Sequence, residues 1–288
     1  MYNKKRINLI IIILTSAAIL LMVLSFLNTP VYKNTNSNGI SYTDESKDKS
    51  PELKNNNQIY NISGVPVLYY HSIRPTEDNE LILSPEKLKK QLNFLKSEGY
   101  TSLSLSEFSN YILNNTPVPP KSFLITFDDG YMDNYYYAFP ILKELNMKAT
   151  IFCITFKLDG TYYLSAEALK EMSDYGIDIQ CHTVNHDDLS SLSYDDQLTT
   201  LKNSKSYLEN LLNKKIYAIA YPFGNINNET TKAVEEAGYT LGFLTSTGLA
   251  KSSDNPLQLK RIYISSEYDL DTFKDLFYNA VNSWTNIY

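Results

Sequence analysis

An α/β fold built on a closed or nearly closed parallel barrel is what this sequence predicts, on three observations. Seven short β-like runs follow one another from Gly64 onward, amphipathic stretches separate most of them, and no Gly-rich phosphate loop follows the first run. Parallel neighbours need crossover connections, so alternating strands and helices imply a parallel sheet. The missing Gly-rich loop argues against a doubly wound nucleotide-binding sheet, and so against a nucleotide partner. A barrel gathers its chemistry at the C-terminal ends of its strands.

The chain opens with a basic flank at 1–6, carrying Lys4, Lys5 and Arg6, followed by an uncharged run from Ile7 to Leu27. At about 1.5 Å per residue such a run spans a hydrocarbon core of roughly 30 Å. The flank holds the N-terminus in the cytoplasm, so a single-pass cell-membrane anchor at 7–27 is expected, with the rest extracellular. No small-x-small pattern closes the run, which favours an uncleaved anchor over a cleaved signal; cleavage would leave a secreted protein. Residues 28–62 are mostly Asn, Ser, Lys, Asp and Glu. They bury too little apolar surface to offset chain entropy and read as a flexible linker. Residues 63–288 read as the catalytic domain.

The predicted strands are Val65–His71, Phe123–Asp128, Thr150–Thr155, Ile177–His182, Ile216–Tyr221, Leu241–Thr245 and Leu259–Ser265, each rich in Ile, Val, Tyr or Phe and bounded by turn residues. Ser84 and Pro85 mark a helix start, with Leu88, Leu92 and Leu95 on one face. Ser193 and Asp196 open another, with Leu198, Leu201, Leu208 and Leu211 as its apolar stripe. Cys153 and Cys181 sit in apolar runs, where buried free thiols are the usual meaning, although export would permit a disulfide. A net charge of −6 excludes an electrostatic grip on nucleic acid. Most of the 24 tyrosines read as strand and core filler, and exposed ones would suit a carbohydrate ligand.

Four polar clusters fall at the strand ends: Tyr70-His71, Thr126–Gly130, His182–His186 and Tyr221–Gly224. They hold all three histidines of the chain. Imidazoles four residues apart can face one ion, though the pair alone is a weak sign. Asp-Asp-Gly reads as a turn, but a turn explains the Gly and not two acids directly after a buried run. Adjacent acids leaving a strand diverge, so one can bind metal while the other faces the metal's water. The clusters together read as a His-His-Asp site with open positions.

These residues resemble the NodB-type polysaccharide deacetylases, carbohydrate esterase family 4, from about Gly64 to the C-terminus. Thr126–Gly130 is similar to that family's TFDDG motif, His182–His186 to its H[ST]xxH motif, and Tyr221–Gly224 to its Pro-aromatic-Gly loop. The resemblance implies a distorted (β/α) barrel, here with seven strands. It implies that Asp129, His182 and His186 hold a divalent metal, with zinc expected and cobalt or nickel as alternatives. It implies that Asp128 is the base, that the Phe223 N–H helps stabilise the oxyanion, and that Tyr221 and Pro222 belong to the substrate site. Two departures stand out: Ile219-Ala220-Tyr221-Pro222 lacks the family's Arg, and no His follows His186. Both resemble the exported branch that processes poly-N-acetylglucosamine, whose catalytic acid lies on the first strand, here His71. Without the usual Arg, something else must hold Asp128. Arg261, entering a strand, is better placed than Arg74 in a loop, although a surface ion pair is the alternative role.

The implied reaction is metal-dependent hydrolysis of N-acetyl groups from an extracellular N-acetylglucosamine polysaccharide, with poly-N-acetylglucosamine favoured. Peptidoglycan is the alternative substrate, xylan or chitin fragments come further behind, and a non-catalytic carbohydrate-binding module is the alternative class.

Overall fold

A computed structural model describes residues 64–282. The expected basic flank, membrane anchor and linker at 1–62 lie outside the described residues. Among the described residues no helix is long and apolar enough to cross a membrane.

All seven predicted runs form strands, with ends shifted by one or a few residues: β1 (Val65–Tyr70), β2 (Ser122–Phe127), β3 (Thr150–Cys153), β4 (Asp178–Cys181), β5 (Ala218–Ala220), β6 (Leu241–Thr247) and β7 (Leu259–Tyr263). Each pairs in parallel with the next in sequence, and β7 pairs in parallel with β1, which closes the ring. Helices α1 (Pro85–Ser97), α2 (Leu105–Asn114), α3 (Phe139–Leu145), α4 (Ala166–Tyr175), α5 (Tyr194–Leu212), α6 (Asn228–Glu236) and α7 (Leu270–Asn282) connect or follow the strands. The barrel is irregular in two places. Two helices separate β1 from β2, and the β6–β7 connection carries no helix, only Leu249–Ala250 laid antiparallel against β1.

Local chemistry fixes the helix ends. Ser84 caps α1 by accepting from the Lys87 N–H, and Pro85 fills the first turn where its missing N–H costs nothing. Ser193 caps α5 through the Asp196 N–H. Leu201 and Leu208 of α5 are fully buried, and Leu198 and Leu211 pack partly buried against them.

The period of two along each strand sorts the core into two layers. Val65, Val67, Leu124, Phe152, Ala218, Leu241, Phe243 and Leu259 fill the barrel interior together with Phe108, Tyr111 and Ile112 of α2. Leu68, Tyr70, Ile125, Phe127, Ile179 and Ile262 point outward under the helices. Helix α2 plugs the N-terminal end, where its Leu105 N–H donates to Asp178 at the start of β4. The parity that turns Val67, Leu124 and Leu259 inward also turns His71, Asp128 and Arg261 inward. The interior is therefore apolar below and polar at the C-terminal end. Cys153 and Cys181 face each other across β3 and β4, fully buried and unbonded. Burial pushes the Cys181 thiol up to about 11.

Candidate metal centre and active site

Asp128 follows β2, and its N–H donates to the Tyr70 carbonyl at 2.9 Å, which ties it to β1. Asp129 adopts a left-handed conformation, φ 71°, and this turn sends the adjacent carboxylates in different directions. Gly130 is also left-handed, φ 76°, and a Cβ there would meet Cys153 Sγ at 3.0 Å, so the tight turn needs glycine. Thr183 and His186 repeat the device on the loop after β4, with φ 64° and 67°, and Phe223 has φ 61°. The other non-glycine residues with positive φ among the described residues, Asn115, Asn146 and Asn213, are helix C-caps, where asparagine fits that conformation. Among the described residues, strain of this kind outside the caps is thus confined to this one end of the barrel.

Asp129, His182 and His186 converge, their ligand atoms lying within 4.8 Å of one another. Asp129 Oδ1 is 3.4 Å from His182 Nε2 and 3.5 Å from His186 Nε2, and it is buried without a hydrogen bond. A buried carboxylate oxygen facing two imidazole nitrogens, none bonded to another, is the donor set of a small divalent ion. His182 Nδ1 lies 2.7 Å from the Ala220 carbonyl, which takes that proton and turns the Nε2 lone pair toward Asp129. Thr200 of α5 braces the histidine loop, accepting from the Val184 N–H and donating to Asp187. Burial raises the Asp129 carboxyl, but His182 outweighs it and holds Asp129 well below the carboxylate range. Burial and the neighbouring His182 push His186 down to about 4, leaving a neutral imidazole at neutral pH.

Asp128 stays outside this cluster. Arg261, buried completely, donates to its two oxygens at 2.8 Å each, to Thr126 Oγ1 at 3.3 Å, and through Nε to the Leu244 carbonyl at 2.9 Å. The guanidinium starts on β7 and crosses in front of β1 to reach Asp128, with its Cζ 4.2 Å from the centre of the Tyr69 ring. Burial pushes the Asp128 carboxyl up, and the Arg261 guanidinium overrides it, holding it below the usual range. Arg74, the other arginine weighed for this part, pairs with Asp78 at the surface.

His71 sits beside the rings of Tyr69 and Tyr263, with centroids at 5.8 and 6.3 Å. Its Nδ1 is buried without a partner. Burial lowers the imidazole, opposed by Asp128 and Asp129. Asp133 fixes the residues just after it, accepting from Ser72 Oγ at 2.5 Å and from the Ile73 N–H at 3.0 Å. A cavity of about 350 Å³ opens over His71, Asp128, Asp129, His182, His186 and Phe223. Tyr221 is buried at its floor with its hydroxyl donated to the Leu257 carbonyl, while Pro222 is buried and does not line the cavity. The exposed Phe223 ring stands edge-on to His186 at 4.6 Å. Tyr69, Tyr263 and Asp133 are site residues that motif reading passes over. Counting back two positions from His71 and forward two from Arg261 finds the two tyrosines.

Residues 115–242 match the family model described as "Polysaccharide deacetylase". The chain is 30% identical over 266 residues to a poly-beta-1,6-N-acetyl-D-glucosamine N-deacetylase of Staphylococcus epidermidis, covering 81% of this chain and 89% of the relative. Among solved structures it is similar to the Streptococcus pyogenes deacetylase PplD in complex with acetate, with TM-score 0.70 and 36% identity over 74% of this chain and 97% of that one. It is also similar to BC0361, a polysaccharide deacetylase from Bacillus cereus, with TM-score 0.67 and 30% identity over 74% and 68% of the two chains.

Proposed function

This chain belongs to the polysaccharide deacetylase family, and on that premise we propose that it removes acetyl groups from an extracellular poly-β-1,6-N-acetylglucosamine, working from a membrane anchor at 7–27. The observation that carries the reaction is the division of labour between adjacent acids, Asp128 locked to Arg261 and Asp129 turned toward two histidines. The polymer is supported by the name of the Staphylococcus epidermidis relative. The location is supported by the basic flank and apolar run of the sequence.

Asp129, His182 and His186 would hold the ion, with zinc expected on mixed imidazole and carboxylate donors and cobalt or nickel as alternatives. When bound, such an ion supplies Lewis-acid polarisation of the acyl oxygen and makes the attacking water more acidic. Asp128 accepts the water proton, and Arg261 keeps it ionised and aimed. The Phe223 N–H donates to the negative charge that develops on the acyl oxygen. His71, protonated, gives its proton to the nitrogen as the C–N bond breaks. One water is consumed, and acetate and a glucosamine unit are the products. Tyr69 holds the face of the Arg261 guanidinium, and Asp133 holds the segment that follows His71.

Acetate released by the purified protein from poly-β-1,6-N-acetylglucosamine and from peptidoglycan, measured side by side, tests this reading. Faster release from the first is expected, and release from peptidoglycan alone would overturn the choice of polymer.

A further inference from the structure

Glu80 lines the cavity together with His71 and Tyr263. Its backbone carbonyl is fixed from two sides, accepting from the Tyr263 hydroxyl at 3.2 Å and from the Ser266 N–H at 2.9 Å. Its exposed side chain enters none of the ion pairs among the described residues. The other two carboxylates of the cavity are engaged, Asp128 by Arg261 and Asp129 by the two histidines. Among the described residues no Lys or Arg lines the cavity. Glu80 thus adds to the cavity an acidic side chain on a fixed backbone, outside every ion pair among the described residues.

The proposed reaction makes a cation, because each turnover replaces a neutral acetamide with an amine that is protonated near neutral pH. We propose that Glu80 is a specificity residue that pairs with the ammonium of an already deacetylated sugar next to the unit being hydrolysed. This rests on the deacetylase reading above. It means that the enzyme favours chains that already carry glucosamine over fully acetylated ones. A carboxylate that only accepted sugar hydroxyls would not distinguish the two.

The test compares the full chain and its E80Q variant on two β-1,6-linked oligosaccharides of equal length. One is fully N-acetylated, and the other carries a single glucosamine beside an acetylated unit. The wild type is expected to show the lower KM on the glucosamine-bearing oligomer. E80Q raises that KM about three- to fivefold more than the KM on the acetylated one, the scale of a solvent-exposed charge pair. High salt should shrink the wild-type preference in the same direction. Equal KM changes on both oligomers, or no preference in the wild type, would overturn the role of Glu80. No acetate release by the wild type from either oligomer would overturn the deacetylase reading, and this inference with it.

Discussion

Arg261 and Asp128 form a two-pronged pair inside the barrel, each terminal guanidinium nitrogen donating at 2.8 Å to a separate carboxylate oxygen. Both side chains are almost wholly buried, so the geometry is held by packing as well as by charge. A buried ion pair contributes little net stability, because desolvation offsets attraction, but removing one partner strands the other charge at about 3–5 kcal/mol. The pair is better understood as a device that keeps one carboxylate ionised and aimed.

Arg261→Lys keeps a charge but loses the fork. Turnover should fall by about 100-fold, the scale of a misaligned catalytic group, with metal content unchanged. The pH dependence has a definite sign. Burial raises Asp128 and Arg261 lowers it, so a weaker partner lets the carboxyl pKa rise. The base acts when deprotonated, and the acidic limb of kcat/KM should move to higher pH. A variant with an unmoved limb and full turnover would remove Arg261 from the mechanism.

The adjacent acids should respond differently to the same substitution. Asp128→Asn is expected to keep the metal and lose about 100- to 10,000-fold in turnover, the range of general acid–base catalysis. Asp129→Asn, like His182→Ala and His186→Ala, is expected to lose the metal, because each removes one of three converging donors. Elemental analysis of the four variants decides this, and a metal-free Asp128→Asn beside a metal-loaded Asp129→Asn would exchange the roles.

The barrel was legible because its signal is local. Short runs rich in Ile, Val, Tyr or Phe and bounded by turn residues mark all seven strands, and Ser84 and Ser193 announce their helices by capping chemistry. His182 and His186 are legible for a similar reason, since four-residue spacing survives any choice of fold. Arg261 is different, because its partner lies 133 residues away and the guanidinium passes one strand to reach it. No spacing rule encodes that contact; only the absence of an arginine beside Tyr221 points to it. His71 is ambiguous as a lone strand-end histidine, and its assignment leans on family resemblance. Tyr69 is hidden because it looks like strand filler, yet its ring supports the guanidinium face. Tyr221 lines the cavity as the motif suggests, and its hydroxyl also holds Leu257, across a Gly242 whose added Cβ would meet that hydroxyl at 2.3 Å, a contact that no motif encodes.

The most direct test follows acetate release from poly-β-1,6-N-acetylglucosamine by one preparation of the protein in three states: as purified, after a chelator has removed the metal, and after zinc, cobalt or nickel is restored. If Asp129, His182 and His186 hold the ion that Asp128 and His71 work beside, release should drop by at least about 100-fold on chelation, a scale comparable to losing a catalytic group, and return with metal at one ion per chain. Undiminished release from protein shown by elemental analysis to be free of metal would contradict the account.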